Sequence, residues 1–158
     1  MKKFNIQGAF ISAGIAILLG FLSSILSGNS GEIYRTLELP PYSPPGWLFG
    51  VIWPILYILM GISAYLVYIT PSSTEDKRNA LHAYAAQLLV NFSWSIVFFR
   101  FSAYGAAVLV LALLIFLVAL TIMYFYKINK AAAYLNLPYL IWLLIAYYLN
   151  VGVYVLNL

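Results

Sequence analysis

His82 is the sole histidine of this chain, Glu32, Glu38, Glu75 and Asp76 are its only acids, and it has no cysteine. A metal site needs several ligands, so one histidine does not make one. No Ser-His-Asp set, phosphate-binding loop or thiolate nucleophile can be assembled either. These residues call for no metal, no resident cofactor and no conventional catalytic group; any reactivity would reside in a bound ligand. The remaining polar chemistry is amide, hydroxyl and aromatic. Tyr84, Gln87, Asn91, Trp94 and Phe98 follow a 3-4-3-4 spacing, which puts all five on one helix face. Tyr139, Trp142, Ala146 and Asn150 nearly repeat that pattern, and Trp53 and Tyr57 stack at i, i+4 with Trp47 nearer the preceding loop. Buried amides need partners, so Gln87 and Asn91 are expected to face other helices. Indole and phenol rings offer flat apolar surface with one polar handle each, and an interior lined by them suits a flat, mostly apolar ligand. Taken alone, the Gln87–Asn91–Trp94 face suits interhelical packing better than binding, and most of the fourteen tyrosines suit interfacial anchoring.

The elements that must position these groups follow from composition. Of 158 residues, 65% are hydrophobic and only 8% charged, against about 25% charged in soluble domains. Mean hydropathy is +0.95. So few charges cannot cover a soluble fold, whereas a bilayer requires no charged skin. Five apolar segments can be drawn, at about 4–27, 47–68, 80–101, 103–126 and 132–156. Each is near the roughly 20 residues that carry a helix across a bilayer. Strands are excluded because runs such as Val108 to Val118 do not alternate. The expectation is an all-α membrane protein, a five-transmembrane-helix bundle in one domain over residues 1–158. Lys2 and Lys3 precede the first segment, but that segment exceeds the roughly 7–15 residues of a secretory signal core, so it reads as a span.

The longest connection, 28–46, holds Pro40, Pro41, Pro44 and Pro45, and is expected to form a stiff, extended cover. With five spans, Lys2, Lys3, Lys77, Arg78, Lys127 and Lys130 fall on one side and Arg35 and Arg100 on the other. The positive-inside rule then places the N-terminus in the cytoplasm and the first loop outside. The net charge of +4 comes from small clusters at segment ends, so no nucleic-acid partner is expected. No ionisable residue falls at mid-membrane depth, which argues against ion-coupled transport. Ser12, Ala16, Gly20 and Ser24 recur every four residues, and Gly46 and Gly50 form a Gly-x-x-x-Gly pair; both read as packing within the chain.

The stretch from Pro40 through Pro44-Pro45-Gly46-Trp47 and Trp53-Pro54 to Tyr57 resembles the first loop and second helix of the TspO/MBR family, the tryptophan-rich sensory proteins and mitochondrial translocator proteins. Gln87, Asn91, Trp94-Ser95 and Phe98-Phe99 resemble its third helix. Asn129, Ala131-Ala132, Pro138-Tyr139, Trp142, Ala146, Tyr148-Leu149-Asn150 and Asn157 resemble its fifth. The resemblance covers essentially the whole chain. It implies a five-helix bundle, often a homodimer, with a pocket beneath loop 28–46 that binds porphyrins such as protoporphyrin IX. Carried over by position, the pocket residues are Trp53, Asn91, Trp94, Trp142 and Ala146, with Tyr34 and Trp47 from the loop side and Arg35 facing a propionate. The function implied is a receptor or sensor of tetrapyrroles in a bacterial cell membrane. The alternatives are light-dependent porphyrin breakdown, with Trp53 or Trp142 quenching or relaying the oxidant, and facilitated passage of tetrapyrroles or other lipophiles. The sterol motif often quoted for the family needs a basic residue soon after a tyrosine. Here Tyr154 is followed only by Val155, Leu156, Asn157 and Leu158, which argues against sterol binding there.

Overall fold

The structure is a computed structural model and describes residues 4–158; Lys2 and Lys3, which weigh in the expected orientation, lie outside the described residues. Every regular element among them is helical: α1 (Ile6–Ser27), α2 (Ser30–Thr36), α3 (Gly46–Ile69), α4 (Thr74–Ser95), α5 (Tyr104–Ile128), α6 (Lys130–Tyr134) and α7 (Leu137–Leu156). A π-helical turn, Ile96–Arg100, continues α4. Four helices are long and apolar enough to cross a membrane: Ile6–Ser27, Gly46–Ile69, Tyr104–Ile128 and the α6–α7 run Lys130–Leu156. The 22-residue α4 is not among them. Its first turns carry Glu75, Asp76, Lys77 and Arg78, and its inward face carries Gln87 and Asn91.

Capping chemistry explains several boundaries. The Asn5 side chain accepts from the Gln7 N–H at α1. The Ser73 hydroxyl accepts from the Asp76 N–H at 3.0 Å, so α4 begins six residues before the apolar run does. Asn129 caps α6 through the Ala132 N–H and also donates to Thr70 Oγ1 at 2.9 Å, tying the α5–α6 corner to the end of α3. Loop 28–46 differs from the expected extended cover. Gly28, at φ +79°, ends α1 in a conformation that suits glycine, and α2 forms before the chain reaches its first proline. Apart from Gly28 and Asn29, only the proline-bearing stretch after Thr36 and before Gly46 is non-helical.

That stretch is fastened to the end of α7. Asn157 accepts from the Glu38 N–H at 3.0 Å and donates to the Glu38 carbonyl at 2.9 Å. The Tyr148 hydroxyl donates to the Pro41 carbonyl at 2.8 Å. The Pro40 ring sits where a side chain at residue 152 would stand, so Gly152 is a notch for it. At the opposite edge α1 packs closely on α3. Gly61 meets the backbone of Ala13, and the Ser12 hydroxyl donates to the Gly61 carbonyl at 2.7 Å. The small-residue stripe of α1 therefore packs within the chain at Ser12 and Ala16.

Candidate ligand-binding site

The polar face of α4 turns inward: Gln87, Asn91, Trp94 and Phe98 are all buried. Asn91 Nδ2 donates to the Tyr57 hydroxyl of α3 at 3.2 Å. Trp94 Nε1 donates to Asn150 Oδ1 of α7 at 3.0 Å, and Asn150 Nδ2 donates to the Tyr104 carbonyl at 3.1 Å. These bonds fix α4 against α3 and α7, and so set where the Trp94 ring stands. The π-turn then brings Phe99 onto the side that Trp94 and Ser95 already face, while Phe98 packs into the core.

Beside this frame lies a cavity of about 480 Å³ between α1, α3 and the C-terminal end of α4, roofed by α2. Trp53 stands at its centre, with ring centroids 5.8 Å from Tyr57, 6.3 Å from Trp94 and 6.2 Å from Tyr139. Phe49 and Phe99 add further rings, and α1 supplies Gly20, Phe21, Ser24 and Ser27. Gly20 is bare because the Tyr57 ring occupies the space a side chain there would take. In the roof, the Tyr34 hydroxyl donates to the Pro44 carbonyl at 2.6 Å. Burial pushes its phenol above the ordinary value of 10.0. None of the residues lining the cavity is Asp, Glu, Lys, Arg or His.

Of the residues expected from the sequence, Tyr34, Trp53 and Trp94 line this cavity together. Asn91 lies one hydrogen bond behind the wall, through Tyr57. Trp142 packs behind Phe49 at 5.4 Å, with its Nε1 buried and unpartnered. Ala146 borders a separate void of about 10 Å³ that shares Tyr34, Phe49, Trp94 and Phe99 with the large cavity. Trp47 points away and is 69% exposed. Arg35 is exposed on α2 and does not line the cavity. His82 is exposed, and no group of three metal-ligating side chains occurs among the described residues. The α1 contribution was the part sequence reasoning missed. Its signal was the Gly20 and Ser24 end of the small-residue stripe, which lines the cavity while Gly20 also packs against the Tyr57 ring.

Long apolar helices around a ring-walled cavity that no Asp, Glu, Lys, Arg or His lines define a multi-pass membrane protein. The chain belongs to the TspO/MBR family, whose profile matches residues 12–156. It is 37% identical over 154 residues to the tryptophan-rich protein TspO of Archaeoglobus fulgidus, covering 97% of this chain and 99% of that one. Its identity to the protein of the same name from Chlorobaculum tepidum is 33% over 145 residues, covering 91% and 92%. To the human translocator protein it is 34% over 129 residues, covering 81% and 76%.

Proposed function

We propose that this protein is a membrane receptor or sensor that binds a flat tetrapyrrole such as protoporphyrin IX in the α1–α3–α4 cavity. The observation that carries the reading is the cavity itself, about 480 Å³ and walled by Trp53, Tyr57, Trp94, Phe49 and Phe99. That volume lies within the range of small-molecule sites, roughly 300–1,000 Å³. Stacked rings gain from flat apolar surface without needing a charge. Asn91 holds the Tyr57 wall and Trp142 backs Phe49, so both support the site from behind.

The reading includes a single domain of five spans. Hydropathy alone leaves out α4, but its amides are turned inward while Leu89 is 69% exposed, as a span with one polar seam would have it. The described cations support a cytoplasmic N-terminus and an outer roof: Lys77, Arg78, Lys127 and Lys130 stand at one end of the bundle, and Arg35 and Arg100 at the other.

Titrating protoporphyrin IX against tryptophan emission tests the reading. Saturable quenching is expected, with affinity reduced about tenfold or more in Trp53→Ala, the scale of losing one buried aromatic contact. Unchanged affinity in that variant would refute it. The connected rings Trp53, Trp94, Tyr57 and Tyr139 favour one second reading, in which a light-excited porphyrin activates molecular oxygen, the reactive oxygen oxidises the porphyrin and is itself reduced, and the rings quench or relay the radicals that escape. Illumination that leaves the porphyrin spectrum the same as in a protein-free control would remove it.

A further inference from the structure

The cavity changes character along the bundle axis. Its deep part, around Trp53, Pro54 and Tyr57, is ring and carbon. The part nearest the end of α1 carries the hydroxyls of Ser24, Ser30 and Ser95. The neighbouring Ser27 hydroxyl is committed to the Ser23 carbonyl. Those of Ser24, Ser30 and Ser95 have no partner among the described residues.

One exposed cation stands next to this rim without lining the cavity. Arg100 ends the π-turn, and its Nη1 donates to the Leu26 carbonyl at 3.2 Å. The side chain therefore bridges from the residue after Phe99 to the residue before Ser27, and Phe99 and Ser27 both line the cavity. That one bond leaves most of the guanidinium N–H groups free. No ion pair holds Arg100 among the described residues. An anion there would also meet no repulsion from the lining, which contains no carboxylate. A guanidinium next to the mouth of a mostly carbon-walled space that itself carries free hydroxyls is complementary to an anionic oxygen on the edge of an apolar body.

We propose that Arg100, with the hydroxyls of Ser24 and Ser95, recognises a carboxylate on the rim of the flat ring ligand. Only one edge of the ring then faces α2 and the other lies against Trp53 and Tyr57. Arg100 is the specificity-determining residue: it distinguishes ring acids from neutral rings of the same shape. The inference rests on the tetrapyrrole reading above.

The test compares protoporphyrin IX, a diacid, with its dimethyl ester, in dodecyl maltoside so that no lipid phosphate competes. The wild-type protein should prefer the diacid about tenfold, the scale of one hydrogen bond to a charged group. Arg100→Gln should abolish that preference while leaving ester affinity unchanged. Glutamine keeps a donor for the Leu26 carbonyl, and unchanged ester binding reports an intact fold. Equal affinity of the wild type for both compounds overturns the proposal. So does an equal loss for both in Arg100→Gln, which would make the side chain a packing element. Loss of the diacid preference on adding phosphatidylglycerol would assign the guanidinium to lipid headgroups and overturn it as well. If neither compound binds, the tetrapyrrole reading itself fails and takes this inference with it; ester binding without a diacid preference removes only the inference.

Discussion

Replacing Gly61 with alanine puts a methyl group where α1 and α3 touch. An ideal Cβ at residue 61 would stand 2.6 Å from the Ala13 amide nitrogen and 2.7 Å from the Ser12 carbonyl oxygen. Non-bonded heavy atoms need roughly 3.5 Å. The atoms in the way are backbone, so no rotamer change relieves the clash and the helices must part by about 1 Å. That parting stretches the bond from the Ser12 hydroxyl to the Gly61 carbonyl from 2.7 Å past the hydrogen-bonding range. Overpacking costs about 1–3 kcal/mol, and an interhelical bond within a membrane contributes about 0.6 and at most about 1.7 kcal/mol. Against these stands the gain of about 1 kcal/mol for alanine over glycine inside a helix. Gly61→Ala is therefore expected to destabilise by about 1–3 kcal/mol.

Gly14 supplies the control. It also lies inside a helix, but a Cβ there would have no neighbour within 4 Å. Gly14→Ala should be neutral or stabilise by up to about 1 kcal/mol, so the two substitutions should differ in sign. Unfolding in mixed micelles by titration with dodecyl sulfate, followed by helical circular dichroism, reads both. The cavity is bounded by α1 and α3, so Gly61→Ala should weaken porphyrin binding as well. Equal stability of the two variants would refute the claim that the α1–α3 seam is close-packed at this point, and with it the account of how the cavity wall is held.

Asn150→Ala leaves the Trp94 indole N–H without its partner and removes the bond to the Tyr104 carbonyl; it should cost about 1–2 kcal/mol in the same unfolding assay, and a change below a few tenths would show that the Trp94–Asn150 pair does not hold α4 to α7. Tyr34 contributes to pH dependence, because its folded phenol pKa lies above the ordinary 10.0 through burial. The stabilisation is fully present below pH 10 and is lost as pH rises through the folded value. The wild type should therefore lose thermal stability above pH 10 more steeply than Tyr34→Phe, and parallel profiles would contradict the burial of this hydroxyl.

The recurring amides and rings of α4 were legible because helix periodicity is set by covalent geometry. Residues 84, 87, 91, 94 and 98 share a face whatever they pack on, and burial of the four from Gln87 onward follows from the cost of amides in lipid. Boundaries were less legible where hydropathy stood in for capping. The apolar run puts the third segment at about residue 80, whereas Ser73 starts the helix at Thr74. The four prolines obscured α2, because they restrict only the residues after Thr36 and leave the seven before them free to coil. Placement of the cavity was the least legible feature. The family resemblance put Trp53, Asn91, Trp94 and Trp142 around one space, but a cavity forms where helices fail to meet, which depends on packing between segments far apart in sequence. Phe49 closes the space in front of Trp142, and Gly20 together with Ser24 opens it on the α1 side.

The distribution of hydrogen bonds explains why the opening falls on that side. The roof is sewn to α7 by both amide bonds of Asn157 to Glu38 and by the Tyr148 hydroxyl on Pro41, with Pro40 seated against Gly152. The inner wall is sewn through Asn91 to Tyr57 and through Trp94 to Asn150. Alongside the cavity, α1 is tied by the Ser23 hydroxyl to the Phe92 carbonyl, and at its last turn by Arg100 to the Leu26 carbonyl. Interhelical bonds in lipid are individually weak, so α1, held by two of them beside the cavity, yields at lower cost than the inner wall, whose two bonds are joined by close ring packing. A ring ligand of the proposed kind would therefore be accommodated by movement of α1, whose exposed Phe21 and Ile17 already face the surroundings at the cavity edge, while Trp53 and Trp94 would keep their places.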